Sequence, residues 1–247
     1  MTNPFNTNEP NQVSCILDAI NPKIVQCIQC VNEQDLIEPC ILQIYDKVDK
    51  IIIIEGATKN KVDAGQATLD GHSIDNTAEV IKNVKLNKDP FNKITFVRID
   101  RPFEDLEELK NTFFQYMEDG DWMLITDADE FIHPKTVDLL RKCISLYPIV
   151  NEFVPTFYHF WRDKNHIKNP ENSNGSWGTQ HQRFIKYQYG MYYKTHPVAT
   201  DKHDQCTYFS PHYLGRRITL DGFDIFHYSY MNFRKDAILG KKDFYNK

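Results

Sequence analysis

The sequence predicts an α/β fold, with a mostly parallel central sheet, helices on both faces, and a loop-rich α+β second half. Up to about residue 147, short apolar runs alternate with amphipathic segments of helical length, a pattern typical of parallel strands joined by crossover helices. The rest is rich in aromatic and histidine residues. We therefore expect a single domain over 1–247, with one half at 22–147 and the other at 148–247.

Four apolar runs in the first half have the length of buried strands. The predicted strands are 23–30, 50–55, 93–99 and 121–126. The second contains four consecutive isoleucines and is the most apolar segment of the chain. Residues 1–21, which are rich in Asn, Thr and Pro, are expected to form a loose leader.

The segments between these runs have helical patterns. The predicted helices are 33–45, 75–84, 103–118 and 134–146. In the third, apolar residues recur at helical spacing from Leu106 to Met117, after an acidic first turn that suits a helix N-terminus. Pro134 fits the first position of the fourth. Residues 58–73 are predicted to form a loop.

The second half shows shorter strand-like runs. They are 152–159, 182–186, 192–196 and 225–230. Between the first two, residues 163–178 contain Asn, Pro, Ser and Gly and are predicted to be a loop. This half is expected to shape a second binding site.

Composition narrows the class of partner. The net charge of −5 disfavours nucleic acid as a partner, because a nucleic-acid binder needs a basic surface. No apolar segment approaches the roughly 20 residues that cross a bilayer. No secretory leader is recognisable, and the six cysteines lack a framework spacing, so we expect a cytoplasmic protein, with peripheral attachment to a membrane left open.

The run at 122–125 ends in three carboxylates within four residues, Asp127, Asp129 and Glu130. Acids at the end of a buried strand are costly unless a cation lies beside them. Oxygen ligands of this kind suit Mg²⁺ or Mn²⁺, which commonly bridge carboxylates to phosphate groups. The cluster therefore predicts a phosphorylated substrate.

An ordered series of short motifs resembles the nucleotide-sugar glycosyltransferases with the GT-A fold, especially family two and its relatives. The series covers roughly 23–145, with weaker matches at Arg183 and His227. It consists of the strand running into Asn32-Glu33, the strand ending in Glu55, Ser73-x-Asp75-x-Thr77, Lys110-Asn111, and the D-x-D motif Asp127-Ala128-Asp129.

The resemblance implies a role for each matching residue. Asp127, Asp129 and His227 would hold Mn²⁺ or Mg²⁺ on the diphosphate, with Asp129 as the principal ligand and Asp127 shared with the ribose. Arg183 is interpreted either as a phosphate contact or as a solvated strand residue. The residues implied to bind substrate are Val31, Asn32, Glu33, Glu55, Asp75, Lys110, Asn111, Asp127 and Arg183.

The chain departs from the family pattern in three places. Glu55 stands where Asp is more usual, the loop at 56–71 is longer, and no Glu-Asp pair after residue 150 supplies a catalytic base. An inverting enzyme needs a base within reach of the acceptor hydroxyl. The candidates are His181, His196, Asp201 and Asp224, with His196 and Asp224 chosen as the catalytic residues. The stereochemical outcome stays open.

These features together predict a metal-dependent glycosyltransferase. It would move a sugar from a nucleotide diphosphate sugar, preferably UDP-linked, to a carbohydrate or glycoconjugate acceptor. Two alternatives stay open. The first is a sugar-phosphate nucleotidyltransferase, a class that usually has a glycine-rich loop after its first strand, whereas residues 31–36 contain no glycine. The second is a non-catalytic carbohydrate- or nucleotide-binding module of the same fold.

Overall fold

The computed structural model describes residues 22–167, 182–195, 198–205, 207 and 216–231, so the predicted leader lies outside the described residues. The strands are β1 (Ile24–Cys30), β2 (Lys50–Glu55), β3 (Ile94–Arg98), β4 (Trp122–Asp127), β5 (Glu130–Ile132), β6 (Val150–Ile167), β7 (Phe184–Lys186), β8 (Tyr192–Thr195), β9 (Val198–Thr200) and β10 (Arg216–Met231). The helices are α1 (Ile37–Leu42), α2 (Lys59–Asp63), α3 (Thr77–Lys88), α4 (Leu106–Phe113) and α5 (Pro134–Leu146), with 3₁₀ turns at Tyr45–Lys47 and Phe114–Tyr116.

An eight-stranded sheet has the order β3-β2-β1-β4-β7-β6-β10-β5. The four strands of the first half are parallel to one another. β7 is antiparallel to both β4 and β6, β10 is parallel to β6, and β5 is antiparallel to β10. The predicted mostly parallel α/β sheet is confirmed.

Alternate residues of the strands enter two hydrophobic layers. Ile51 and Ile53 of β2 belong to one cluster, with residues of α1, α3 and α5. Ile52 and Ile54 belong to the other, with residues of α4. Because side chains alternate across a strand, a run of four isoleucines is buried only if helices cover both faces. The predicted helices on both faces are confirmed.

The first helix is shorter than the predicted 33–45, and Pro39 explains the difference. Proline lacks an N–H and is tolerated only in the first turn of a helix. α1 begins at Ile37, which places Pro39 in that first turn. The helix ends at Leu42, and a 3₁₀ turn follows at Tyr45–Lys47.

The segment predicted as a loop at 58–73 contains the short helix α2. Its return to the sheet depends on Gly71, which has a φ of +81°, and a Cβ there would lie 2.8 Å from Pro102 Cα. The Gly71 carbonyl accepts a hydrogen bond from the Ala57 N–H at 2.7 Å. The segment is thereby held beside the carboxyl end of β2.

The sheet curls so that β5, the last strand in its order, lies close to β4 in the middle of the sheet. Only Ala128 and Asp129 separate β4 from β5, although β5 lies at the far edge of the strand order, beside β10. The carboxyl ends of β1, β2 and β4 share one rim, because Cys30 pairs with Glu55 and Gln29 pairs with Asp127. Acidic residues from separate strands therefore meet there.

The second half contains longer strands than the sequence predicts. β6 continues to Ile167, so the predicted loop at 163–178 is wrong over its first five residues, and the rest lies outside the described residues. The length of β6 comes from its pairing with β10, which runs over 16 residues. In the described part of the chain, no helix combines the length and apolar character of a membrane span.

Candidate active site

Asp127 ends β4 with its carboxylate held between two side chains. Oδ1 accepts a hydrogen bond from Gln29 Nε2 at 2.5 Å, and Oδ2 accepts one from Arg183 Nη2 at 3.1 Å. Burial by itself would raise the pKa of Asp127, but the cations of Arg183 and Lys110 outweigh it and hold that pKa well below its usual range. The carboxylate is therefore ionised, with 31% of its side chain exposed.

Glu130 begins β5 and pairs with the same arginine. Arg183 donates from Nε to Oε2 at 2.9 Å and from Nη2 to Oε1 at 2.7 Å. Oε2 also accepts the Asp127 N–H at 3.1 Å. Burial raises the pKa of Glu130 above its ordinary value, and the Arg183 cation opposes that rise. Arg183 is therefore a buried ion-pair residue, and its interpretation as a solvated strand residue is wrong.

Asp129 and His227 meet at the corner between β4 and β5. The Oδ1 atom of Asp129 lies 3.7 Å from Nε2 of His227. The Asp129 carbonyl accepts the Tyr228 N–H at 3.0 Å, and the β5–β10 register places His227 opposite Glu130. The fold thus brings together two of the three predicted metal ligands from strands far apart in the chain, with Asp127 at the start of the same turn.

Asn32 follows β1 and binds the loop after β2. It has a φ of +57°, a left-handed conformation that Asn adopts more readily than most residues. Its Nδ2 donates to the Gln66 carbonyl at 2.6 Å, and its Oδ1 accepts the Ile74 N–H at 2.9 Å. Its own N–H donates to Ser73 Oγ at 3.0 Å, beside the half-buried Val31. The predicted nucleoside segment is therefore fixed to the loop.

A second set of hydrogen bonds joins the same segment to the start of α3. The Glu33 N–H donates to Thr77 Oγ1 at 2.7 Å. Asp75 accepts the Gln34 N–H at 3.2 Å and the Thr77 N–H at 2.9 Å. The structure thus brings Asn32, Glu33 and Asp75 together, as their shared predicted role requires, and uses the Asp75 carboxylate to join the two segments.

Glu55 is fully buried and has protein partners at both carboxylate oxygens. Oε1 accepts the Ser73 N–H at 2.6 Å, and Oε2 accepts Arg98 Nε at 2.6 Å. Nδ1 of His72 lies 3.6 Å from Oε2. Glu55 therefore links β2, β3 and the 56–76 segment, while its predicted contact with the nucleoside stays a prediction.

Lys110 and Asn111 lie on α4 against β8. Nδ2 of Asn111 donates to the Tyr193 carbonyl at 2.9 Å, and its Oδ1 accepts the Tyr193 N–H at 2.6 Å. The buried Lys110 ammonium lies 5.0 Å from the Tyr193 ring centroid. Burial, assisted by the nearby Arg183 cation, lowers the pKa of Lys110 to about 7. Asn111 thus fixes β8 to the helix, and Lys110 reaches the interior near Asp127.

Of the candidate bases, the structure describes Asp201 and Asp224, and it does not place either of them at the Asp129 corner. From 224 to 227, β10 pairs with β6 without a register shift, so Asp224 and His227 point to opposite faces. Asp224 instead lines a cavity of about 350 Å³ with Lys135 of α5. Asp201 accepts backbone N–H groups within its own turn. His181 and His196 lie outside the described residues.

The half-buried His159 and the buried Glu152 of β6 have partners that the sequence does not predict. His159 pairs with His227 across the β6–β10 register, and Glu152 pairs with Arg217 at 3.2 Å. Glu152 also accepts a hydrogen bond from Gln182 Nε2 at 3.1 Å. Both residues lie in the mostly apolar and aromatic first part of β6, and only the strand register reveals their partners.

Protonation of Glu152 makes the free energy of unfolding depend on pH. Burial raises its pKa from 4.5 to about 7, which means that the folded state holds the proton more tightly than the unfolded chain. The stabilisation that protonated Glu152 contributes is therefore fully present below about pH 4.5. It is lost as pH rises through 7, which lowers the free energy of unfolding by on the order of 3 kcal/mol. We expect Glu152→Gln to remove this fall. Urea unfolding at pH 4.5, 6 and 8 measures it, with exposed Glu79→Gln as control. Parallel pH curves for wild type and Glu152→Gln would contradict the assignment.

Two solved structures share this arrangement of strands and helices. One is residues 1–349 of TarS from S. aureus, with a TM-score of 0.50 and 11% identity over 84% of this chain and 60% of that chain. The other is the mannosyltransferase PcManGT from Pyrobaculum calidifontis in complex with GDP-Man and Mn²⁺, with a TM-score of 0.52 and 15% identity over 85% of this chain and 57% of that chain. The chain has a GT-A fold. No protein-family model and no curated protein matches the sequence.

In this GT-A fold, the donor atoms at the β4–β5 corner suit a divalent cation whose coordination shell is completed by a bound ligand. Among the described residues, no group of three His, Cys, Asp or Glu side chains is arranged to hold a metal by itself. Asp129 and His227 offer one oxygen and one nitrogen donor 3.7 Å apart, a mixed set suited to Mn²⁺. The ionised Asp127 lies at the same turn but is held by Arg183 and Gln29. The site therefore fits a metal whose remaining ligands come from substrate and water.

Proposed function

We propose that this chain is a metal-dependent glycosyltransferase that moves a sugar from a nucleotide diphosphate sugar to an acceptor hydroxyl. The observation that carries the proposal is the Asp129–His227 pair, at the carboxyl end of the central strand of a GT-A sheet. Ligands of parallel α/β sheets bind beyond this end of the strands. The complex of PcManGT with GDP-Man and Mn²⁺ supports a nucleotide sugar and this metal. We expect a UDP-linked donor.

Asp129 and His227 would hold Mn²⁺ or Mg²⁺, and Asp127 would contribute through the ribose or the metal. When bound there, the metal would stabilise the charge that develops on the diphosphate leaving group. Arg183 and Lys110 place positive charge beside Asp127 and Glu130, so the acids keep fixed positions before donor binds. Preorganised charge of this kind costs no rearrangement during the reaction.

The nucleoside would lie at the rim formed by 31–33 and 73–77. Hydrogen bonds between these two segments close that rim and fix their backbone. The second half would form the acceptor side. An inverting mechanism would need a base other than Asp224, which faces away from His227, and His196 stays our prediction for it.

Thermal unfolding in the presence of nucleotides tests the proposal. We expect UDP, or GDP as the competing alternative, to raise the melting temperature with Mn²⁺ and not with EDTA. A hundredfold excess over the dissociation constant adds about 2.7 kcal/mol of stability. ATP, Mn²⁺ alone and uridine serve as controls. No metal-dependent response to any nucleoside diphosphate would contradict the proposal, and binding without turnover of any nucleotide sugar in a panel would favour a non-catalytic module.

A further inference from the structure

A second imidazole lies behind His227 and contacts its other ring nitrogen. Nε2 of His227 faces Asp129, whereas Nδ1 of His227 lies 2.7 Å from Nδ1 of His159. The two rings meet edge to face, with centroids 4.9 Å apart and planes at 80°. His227 is therefore held between a carboxylate and a histidine.

The strand pairing that creates this contact is regular from Asp224 to His227. His159 and His227 are direct partners in the parallel β6–β10 register, so their side chains emerge on one face of the sheet. Phe157, two residues earlier on β6, stacks on the His159 ring with centroids 5.7 Å apart and planes at 11°. The Arg183 guanidinium lies 5.5 Å from the Phe157 centroid. The His159 ring is thus held by Phe157, which in turn lies against Arg183, and Arg183 contacts Asp127 and Glu130.

The short contact restricts where the protons lie. Two Nδ1 atoms at 2.7 Å form a hydrogen bond only if one ring donates and the other accepts. When His227 donates from Nδ1, its Nε2 carries a lone pair directed at the corner beside Asp129. A neutral imidazole binds a metal through such a lone pair, and the partner of the other nitrogen fixes the tautomer.

We propose that His159 is a positioning residue that accepts the Nδ1–H of His227 and thereby aims the His227 Nε2 lone pair at the cation. This inference rests on the metal site of the proposed function. It concerns the orientation and tautomer of His227, and His159 itself is not proposed to contact substrate. Partners of this kind typically change metal affinity by 10–100-fold when they are removed.

Mn²⁺ binding by the full chain, followed by the electron paramagnetic resonance of free Mn²⁺, tests the inference without an activity assay. We expect His159→Phe, which keeps a ring for the Phe157 stack, to weaken Mn²⁺ binding about tenfold or more. His159→Asn places an amide near the position of Nδ1 and is expected to restore most of the affinity. His166→Phe is the matched control, because this exposed histidine lies seven residues further along β6.

Three results separate the inference from the site on which it rests. Wild-type Mn²⁺ affinity in His159→Phe, with weakened binding in His227→Ala, would overturn the positioning role and leave the metal site intact. Equal loss in His159→Asn and His159→Phe would show that ring packing matters rather than the hydrogen bond, and would also overturn it. Unchanged affinity in His227→Ala would contradict the metal site itself. Circular dichroism confirms that each variant is folded.

Discussion

Asp129→Asn is expected to lower kcat/KM for nucleotide-sugar turnover by about a thousandfold or more. The amide keeps the size of the side chain but removes the negative charge, so the cation of the proposed site would lose its principal protein ligand. A metal at a developing phosphate charge contributes several kcal/mol, and about 4 kcal/mol corresponds to a thousandfold in rate. The effect should appear in kcat/KM and in the Mn²⁺ concentration needed for half-maximal rate.

The matched control for this variant is Asp138→Asn. Asp138 lies on α5 and forms a partly exposed pair with Lys47, away from the β4–β5 corner. Its replacement should leave turnover and Mn²⁺ dependence unchanged. If Asp129→Asn kept turnover within tenfold of wild type while remaining folded, Asp129 would not be the principal ligand.

Arg183→Met is expected to destabilise the fold by about 3–5 kcal/mol, because it leaves buried acids without their cation. The Arg183 fork contacts both oxygens of Glu130 and reaches Asp127, and Arg183 and Glu130 are both buried. Methionine fills much of the same volume, so packing loss is limited. Urea unfolding at pH 7 gives the change in the free energy of unfolding.

A double-mutant cycle identifies the ion pair as the cause. Glu130→Gln alters the buried acid whose two oxygens accept hydrogen bonds from Arg183, so Arg183→Met should cost less in that background than in wild type. Arg101→Met breaks an exposed pair with Glu108 and should cost no more than about 1 kcal/mol. Equal costs for Arg183→Met in both backgrounds, or a cost as small as that of Arg101→Met, would contradict the account.

Local patterns predicted the parts of the fold that depend on neighbouring residues. The four isoleucines of β2 and the run before Asp127 are buried strands, because their apolar composition and length permit little else. The rim shared by Glu55 and Asp127 follows from parallel strands that end at one edge. The first helix is shorter than its apolar pattern predicts, because Pro39 must lie in the first turn of a helix.

Features that depend on distant pairing could not be predicted from the chain alone. His159 and His227 are 68 residues apart, and only the β6–β10 register makes them partners. Arg183 has the same sequence signal whether it meets phosphate or an internal acid, and its contact with Glu130 arises from the curl of the sheet. The burial of Glu55 also depends on Arg98 from the next strand.

Anomalous diffraction from crystals grown with Mn²⁺ and UDP tests the central claim most directly. We expect a Mn²⁺ peak at the β4–β5 corner, within bonding distance of Asp129 and of Nε2 of His227, with diphosphate oxygens as further ligands. Data collected from Asp129→Asn crystals under the same conditions should lack that peak. A bound nucleotide with no metal at this corner, or a Mn²⁺ peak held by other residues, would contradict the account.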